Sequence, residues 1–362
     1  MSSFFAAKAP VRRSLELMET GPYDAAVWRQ LADQLALPAL AVPERYGGQG
    51  FGLGELGIAL YEMGRVVYFG PFLANVLAGQ ALLLGGDENA CEAYLPAVAT
   101  GERTATLAIF EPGAAWRIDA PATAAVGDGE SWRLNGEKAW VLDGASADTL
   151  LVSATCDGDL GLFAVDAAGE GVSVESVSVL DLTRPLARVS LDSTPATRIG
   201  GGDTKEVLEA VLDRAIAALA CEQAGGIRGC LEMTAAYAAE RIQFGRAIGS
   251  YQAVRHRLAD MFVLAETAES VARNAVRALD EHDGDARVAV GVAGSWCSDA
   301  YLHAAGDTIQ LHGGIGFTWE HPAHLFFKRA KASAMLFGDA AWQRERVAPD
   351  LLSIPTARGV ST

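Results

Sequence analysis

The sequence predicts an α+β protein in which a strand-rich middle segment separates two helical segments. In the first and last parts of the chain, apolar residues recur at intervals of three and four, the period of an amphipathic helix. Between them, short apolar runs are separated by Gly, Asp and Ala clusters, which is typical of a small β-barrel or sandwich. Because helices and strands come in blocks, an alternating α/β sheet is not predicted.

We expect three domains in the 362 residues: an N-terminal helical domain over 1–105, a middle β domain over 106–200 and a C-terminal four-helix bundle over 201–362. This length allows two or three domains or one large one. Half of the residues are hydrophobic, so a sizeable core can be buried.

The N-terminal segment has helical periodicity over residues 26–35, 56–67 and 73–84. Residues 52–57, GLGELG, match the dinucleotide-binding pattern GxGxxG in form. No strand precedes them and no βαβ unit surrounds them, although that motif requires both. We therefore interpret them as the start of a helix after a flexible loop.

The middle segment contains short runs with strand character, at residues 131–134, 139–142, 149–155, 161–165, 172–179 and 187–191. Between the first two runs lies Asn135-Gly136, the residue pair most typical of a two-residue β-hairpin turn. The sequence therefore predicts that the chain reverses direction at this pair.

The C-terminal segment has long amphipathic runs with short connections, which is typical of a helix bundle. They cover residues 206–241, 251–281, 285–312 and 322–346. The segment after Asp350 is expected to be a loose tail.

Composition argues against several classes of function. A net charge of −16 and a pI near 4.8 disfavour binding to nucleic acid or to an anionic membrane. The sequence has no apolar run long enough to span a membrane and no signal peptide, so we expect a cytoplasmic protein. The five cysteines form no CxxC motif, and His321 and His324 have no partners at metal-ligand spacing, so no metal site is expected.

Two motifs in the C-terminal segment point to an anion-binding site. RIQFGRAIGSYQ, residues 241–252, separates two helical runs, and the planar guanidinium of Arg241 suits a bidentate contact with phosphate oxygens. A helical hairpin with solvated arginines would produce the same pattern. The second motif, QLHGGIGFT at 310–318, has three glycines within four residues, which lets a ligand approach backbone N–H groups.

Together, RxQFGxxIGxxQ and QLHGGIGFT resemble the acyl-CoA dehydrogenase family, and the resemblance covers nearly the whole chain. It implies FAD as cofactor, an acyl-CoA thioester as substrate and an acceptor similar to electron-transfer flavoprotein. It also implies that both motifs reach across a subunit interface to the pyrophosphate of FAD. The cofactor-binding residues implied in this way are Arg241, Phe244, Gln252, Gln310, Gly313 and Gly314.

The chain departs from the family pattern where the chemistry takes place. Dehydrogenation needs a carboxylate to accept the α-proton. The usual base position falls on Phe337, counted without gaps from the glycine-rich motif, and a second family position falls on Ala215. The neighbouring acids Asp213 and Glu222 are candidate bases, but each is more simply explained as a charge on the helix surface or between helices. Asp213 should face about 200° away from Ala215 on a helix.

Segments that hold the flavin ring and the thioester in the family are also altered. FEPGAAWR at 110–117 stands in place of TEPGAGSD, VLDG at 141–144 in place of Ile-Thr/Ser-Asn-Gly, and DAA at 339–341 in place of a segment with Thr and Gln. The resemblance thus implies that contacts to the pyrophosphate are retained, whereas contacts to the ring, the thioester and the α-proton are missing.

A chain with this combination of retained and missing contacts resembles the non-catalytic subunit of actinobacterial α2β2 heterotetramers of the family, which act in steroid side-chain catabolism. Such a subunit contributes a pyrophosphate site to a homologous dehydrogenase subunit that carries the base. Two alternatives stay open. One is a self-sufficient homotetrameric dehydrogenase with Glu222 or Asp213 as base, and the other is a flavin-free scaffold on the same fold.

Overall fold

The structure is a computed structural model that describes residues 1–19, 21, 23–127, 131–200 and 203–353. It has the predicted α+β class, with helices in the first and last parts of the chain and strands in the middle. One hydrophobic core joins the two helical parts and one side of the strand region, and a second core fills the interior of the sheet.

Among its described residues, the N-terminal part contains six α-helices: α1 (Ser2–Lys8), α2 (Val11–Leu17), α3 (Ala25–Leu35), α4 (Leu53–Arg65), α5 (Phe72–Gly85) and α6 (Glu88–Ala99). The three predicted periodic runs correspond to α3, α4 and α5. Helices α1, α2 and α6 fall within the predicted helical domain but correspond to none of the named periodic runs, and the first two have only seven residues each. Asp24 and Asp87 begin α3 and α6 by accepting hydrogen bonds from the first free backbone N–H groups.

The GLGELG segment begins α4, as predicted, and its glycines serve packing. The Asp280 carboxylate accepts hydrogen bonds from the Leu53 and Gly54 N–H groups, both at 2.9 Å. A Cβ atom on Gly52 would lie only 2.7 Å from that carboxylate. The segment therefore packs the N-terminal end of α4 against a helix that is distant in sequence, and it belongs to no βαβ unit.

Seven strands form one sheet: β1 (Ala105–Ala108), β2 (Ala124–Gly127), β3 (Trp132–Leu142), β4 (Thr149–Cys156), β5 (Asp159–Asp166), β6 (Val172–Val177) and β7 (Leu186–Ile199). Their order is β1-β4-β2-β3-β7-β5, and β5 pairs again with β4, so five strands close into a small barrel. Parallel pairs join β4 to β1 and to β2, and the other pairs are antiparallel. Leu134, Val152, Phe163 and Val189 fill the barrel interior.

The predicted turn at Asn135-Gly136 is wrong, because both residues lie inside β3. The pairing of β3 with β7 shifts register between Leu134 and Gly136, so the pair forms a β-bulge. Gly136 has φ 152°, and a Cβ there would lie 2.6 Å from the Thr123 hydroxyl. The Asn135-Gly136 pair therefore allows β3 to pass close to Thr123, the residue before β2. The two predicted runs on either side of the pair form one strand.

The C-terminal part contains α7 (Thr204–Glu240), a short hairpin of β8 (Ile242–Gln243) and β9 (Arg246–Ala247), α8 (Gln252–Asp280), α9 (Ala286–His312), α10 (Ala323–Ser333) and α11 (Ala340–Ser353). The first three predicted runs match α7, α8 and α9. Helix α7 is the central element, since it packs against α4, α8 and α9. The expected tail after Asp350 lies largely outside the described residues.

The prediction of one continuous helix over 322–346 is wrong, because α10 and α11 are separate. Phe337 and Gly338 have φ values of 58° and 104°, which no helix contains. Asp339 then begins α11 by accepting a hydrogen bond from the Trp342 N–H at 2.8 Å. A Gly-Asp pair is a recognisable helix boundary, so the break could have been predicted.

Within the described ranges, no helix is long and apolar enough to cross a membrane. The same residues contain no cluster of three or more His, Cys, Asp or Glu side chains arranged to hold a metal ion.

Candidate functional site

The two glycine-containing motifs lie at the same end of the helical bundle. Arg241 follows the last turn of α7, and Gly313 follows the last turn of α9. The Tyr237 ring of α7 stacks on the His312 ring of α9 with 4.4 Å between centroids. The Tyr237 hydroxyl also donates a hydrogen bond to the His312 carbonyl at 3.4 Å. The structure thus brings two motifs that are distant in sequence to adjacent helix ends.

We call the residues Arg241, Phe244, Gln252, Gln310, Gly313 and Gly314 the bundle-end surface, and all six are exposed. Phe244, at the tip of the β8–β9 hairpin, is 93% exposed. Among the described residues, the Arg241 side chain has no ion pair and no hydrogen bond, and a Cβ on Gly313 or Gly314 would meet no atom within 4 Å. An uncovered guanidinium beside open backbone can bind an anionic group presented from outside.

Large aromatic side chains lie beside this surface, at Phe317 and Trp319, which are 84% and 61% exposed. Lys328 lies over the Trp319 ring at 3.7 Å from its centroid. Isolated monomers seldom expose several large apolar side chains in one region, so this end of the bundle has the composition of a protein contact surface.

A cavity of about 710 Å³ lies between α5, the barrel and the α10–α11 connection. Its lining is mostly apolar and aromatic, and includes Leu77, Ile109, Leu186 and Leu336. The charged side chains on it are Arg184 and Lys331, and none of the described residues that line it carries a carboxylate. The cavity has the size of a ligand site but lacks a general base.

Phe337, at the usual base position, does line this cavity, whereas Ala215 is buried in the core. The Phe337 ring lies 6.4 Å from the Phe110 ring, measured between centroids. The Trp116 indole donates a hydrogen bond to the Met335 carbonyl at 2.9 Å and so closes the same wall. Aromatic side chains therefore occupy positions where the family pattern has hydroxyls and a carboxylate.

Trp140 also lines the cavity, and the sequence analysis missed it. Its backbone has φ 58°, at a second irregularity of β3 between Lys138 and Val141, and its side chain is 51% exposed. Non-glycine residues held in the left-handed region are uncommon and cluster at functional sites. The irregularity turns the indole toward the cavity, and only the interrupted alternation over 138–142 indicated it in the sequence.

Glu111 of the altered FEPGAAWR segment has a structural role. Its carboxylate accepts hydrogen bonds from Lys138 Nζ at 2.7 Å and from the Thr123 hydroxyl at 2.6 Å. Burial raises the pKa of Glu111, but these hydrogen bonds outweigh burial and hold the pKa at about 2. The pair ties the segment to the barrel and does not face the cavity.

Glu222 is buried and is contacted by two arginines. It accepts hydrogen bonds from Arg184 and, at 2.6 Å, from Arg329. Burial acts to raise the pKa of Glu222, but the two guanidinium groups outweigh it and lower the pKa. A carboxylate stabilised in its charged form by two cations is a weak base.

Asp213, the other candidate, pairs with Arg346 of α11. Burial raises the pKa of Asp213, although the positive charge of Arg346 acts to lower it. Neither Asp213 nor Glu222 is among the residues that line the large cavity.

Arg329 is the centre of a buried ionic cluster that the sequence analysis did not predict. Its guanidinium donates to Asp181 at 2.6 Å, to Glu222 at 2.6 Å and to the Thr183 carbonyl at 2.8 Å. The cluster joins α7, α10 and the connection between β6 and β7. No local pattern links residues so far apart in sequence, so it could not be found by periodicity or spacing.

The described residues fit one half of FAD. Within the described part of the chain, the open bundle-end surface suits a pyrophosphate, since it offers a guanidinium without an ion pair, two amide side chains and exposed glycine backbone. The cavity does not fit the isoalloxazine ring equally well. Its polar edge needs hydrogen-bonding partners, and the lining offers mainly hydrocarbon. The Thr106 hydroxyl on that lining already donates to the Leu142 carbonyl at 2.6 Å.

Comparison with known proteins covers all three parts of the chain. Residues 2–102 match the acyl-CoA dehydrogenase N-terminal domain, 106–191 the middle domain and 205–352 the C-terminal domain. The acyl-CoA dehydrogenase IpdE2 of Mycobacterium tuberculosis is 34% identical over 315 residues, which cover 87% of this chain and 83% of that protein.

Two solved structures have the same fold over nearly the full length. A variant of the Tcur3481-Tcur3483 steroid ACAD is 36% identical with a TM-score of 0.88, covering 97% of this chain and 95% of that one. A chain of the ChsE4-ChsE5 complex from Mycobacterium tuberculosis is 29% identical, also with a TM-score of 0.88, covering 98% and 95%. With three matching domains and a curated relative above 30% identity, the chain belongs to the acyl-CoA dehydrogenase family.

Proposed function

We propose that this chain is a non-catalytic subunit of a FAD-dependent acyl-CoA dehydrogenase. It binds the FAD pyrophosphate through the bundle-end surface, while a homologous partner subunit holds the flavin ring, the thioester and the base. One contrast carries this proposal. Among the described residues, the guanidinium of Arg241 is exposed and has no ion pair, whereas no carboxylate lines the large cavity.

The contrast has a simple chemical meaning. Bound FAD supplies hydride acceptance from the β-carbon of an acyl-CoA, and a carboxylate must remove the α-proton in the same reaction. Phe337 provides no proton acceptor. Arg241, in contrast, still offers a charged, planar group to two phosphate oxygens, and Gln252 and Gln310 offer amides nearby.

The comparisons support an assembly of two different chains. The ChsE4-ChsE5 complex is named for two components, and so is the Tcur3481-Tcur3483 steroid ACAD. For this chain we infer a heterotetramer with a homologous dehydrogenase subunit, a bulky steroid side-chain CoA thioester as substrate, and an acceptor similar to electron-transfer flavoprotein.

A self-sufficient homotetramer is the less favoured alternative, because it needs a base within this chain. Glu222 is held by two arginines and Asp213 by one, and both lie outside the large cavity. A flavin-free scaffold would leave the open bundle-end surface without a ligand.

The pyrophosphate assignment can be tested by co-expressing this chain with a homologous dehydrogenase chain that retains the base. We expect Arg241→Ala to weaken FAD retention, because a charge-assisted hydrogen bond contributes about 1.5–3 kcal/mol, or roughly ten- to a hundred-fold in affinity. Flavin absorbance per complex after dialysis measures the effect.

Arg287→Ala is the matched control. Arg287 is also exposed and pairs only with Asp350 among the described residues, but it lies near the start of α9, at the opposite end from Gly313. It should leave FAD retention unchanged. Equal flavin content in the wild-type and Arg241→Ala complexes would contradict the assignment.

A further inference from the structure

A small polar compartment adjoins the large apolar cavity. It measures about 20 Å³, and Leu142 and Arg184 line both spaces. Such a volume holds one water molecule or one polar group of a larger ligand. The compartment is therefore the natural place for the polar end of a molecule whose apolar part lies in the cavity.

Three buried polar groups on the compartment wall lack partners among the described residues. The Tyr68 hydroxyl and the Arg184 Nε–H have no hydrogen-bond partner, and these residues are 7% and 6% exposed. The carboxyl of Asp143, a residue that is 6% exposed, likewise has no hydrogen bond and no ion pair in the described parts of the chain. Buried polar groups are nearly always satisfied, and leaving one unsatisfied costs about 1–3 kcal/mol.

The charges around the compartment favour a neutral ligand group. Arg184 and Arg329 are already balanced by Glu222 and Asp181. Burial raises the pKa of Asp143 to about 7 despite the opposing pull of both arginines. A ligand carboxylate would add negative charge beside Asp143 and Glu222, whereas a ketone or hydroxyl oxygen would add none.

We propose that the cavity binds an apolar molecule that carries one neutral oxygen, a ketone or a hydroxyl, and that this oxygen occupies the compartment. The oxygen accepts hydrogen bonds from the Tyr68 hydroxyl and from Arg184 Nε. This inference goes beyond the proposed function, since it makes the cavity of this subunit a binding site in its own right. It does not depend on FAD or on a partner.

The matched ligands tetralin and β-tetralone test the proposal, because they share a carbon skeleton and differ by one oxygen. Calorimetric titration into the full chain compares their affinities in wild type, Tyr68→Phe and Tyr301→Phe. Tyr301 is the matched control. Its hydroxyl is also buried without a partner, but it lines neither space. Neither substitution removes a hydrogen bond within the protein, so both variants should fold.

Wild type should bind β-tetralone more tightly than tetralin by more than about ten-fold, because the ketone oxygen accepts one neutral hydrogen bond from Tyr68 and one charge-assisted hydrogen bond from Arg184. Tyr68→Phe should reduce that preference by roughly two- to ten-fold, the contribution of one neutral hydrogen bond, because Arg184 Nε still donates, and Tyr301→Phe should preserve it in full. The proposal is overturned if neither ligand binds, if the two bind wild type equally, or if Tyr68→Phe retains the full wild-type preference. Any of these results would mean that no ligand oxygen enters the compartment, which would then hold at most a water molecule.

Discussion

Glu222 shows how the surroundings of a single carboxylate decide what it can do. As a buried acid near a family base position, it is a reasonable candidate from sequence. In the structure, Arg184 and Arg329 both contact the same oxygen, Oε1. Removing one member of such a cluster leaves buried positive charge without compensation. Its contribution is therefore expected in stability and not in proton transfer.

We expect Glu222→Gln to lower the free energy of unfolding by about 3–5 kcal/mol. The control is Glu266→Gln, whose carboxylate pairs with Arg228 at a site that is 52% exposed and should cost under about 1 kcal/mol. Denaturant titration measures both. Similar small losses in the two variants would show that the buried cluster contributes little.

Asp143 is the basis of a second prediction, on how the stability of the fold depends on pH. Its pKa in the folded protein, about 7, is above the ordinary value of 3.8. Because the folded protein binds this proton more tightly than the unfolded chain does, Asp143 contributes its full stabilisation at pH values below 3.8. This contribution is lost as the pH rises through about 7. Arg184, Arg329 and Glu222 are the charged groups that act on it.

Asp143→Asn keeps the shape of the neutral acid and cannot ionise. Relative to wild type, the variant should therefore gain stability between about pH 5 and pH 8, by on the order of 2–4 kcal/mol. Unfolding free energies measured across this range test the expectation. Asp159→Asn, at an exposed position, should show no such trend. A constant difference between Asp143→Asn and wild type would mean that Asp143 does not titrate there.

At the scale of elements, the crossing of α4 over α7 depends on close backbone approach. A Cβ atom on Gly225 would lie 1.9 Å from the Tyr61 carbonyl oxygen, and one on Gly64 would lie 1.9 Å from the Glu222 carbonyl oxygen. Neither backbone can move without displacing a core helix. The two glycines therefore set the distance between the N-terminal part and the bundle.

Gly225→Ala should destabilise the protein by about 3 kcal/mol or more, because the overpacked atom meets main chain and not a flexible side chain. Gly306→Ala is the control on another helix, where an added Cβ meets no atom within 4 Å. It should raise stability by roughly 0.5–1 kcal/mol through helix propensity. Thermal unfolding distinguishes the two, and equal shifts would contradict the packing argument.

The elements also show which parts of the fold the sequence could predict. Long periodic runs were identified correctly, as with α3, α7 and α9, because a buried helical face repeats locally. Asn135-Gly136 misled the prediction, since the same pair suits a turn and a bulge, and only the strands on either side of β3 decide between them. The α10–α11 break at Gly338 was missed although its residues indicate it.

The candidate site likewise includes residues that local motifs predicted and groups that they did not. Arg241 and Gly313 were predicted as cofactor-binding residues from local motifs, and the structure places both motifs at one end of the bundle; the role itself stays a prediction. The Arg329 cluster and the polar compartment were not found. Asp181, Glu222 and Arg329 come from three separate regions of the chain, so their meeting is a property of the tertiary structure.

In the whole molecule, the bundle-end surface and the large cavity differ in their chemistry. The bundle-end surface is exposed, and its Arg241 guanidinium has no ion pair with any residue that the structure describes, which is what the proposed shared cofactor site requires. The cavity of the same chain has aromatic walls and lacks a carboxylate on its described lining. A protein built in this way should need a second chain to hold FAD.

The flavin content of the purified chain is the most direct measure of this difference. Expressed alone, the chain should contain almost no FAD and should dehydrogenate no acyl-CoA. Co-purified with a homologous subunit that carries the base, the complex should contain about one FAD for each pair of chains, because only the partner has a ring site. About one FAD per chain in the isolated protein, with turnover of an acyl-CoA in the presence of an electron acceptor, would contradict the account.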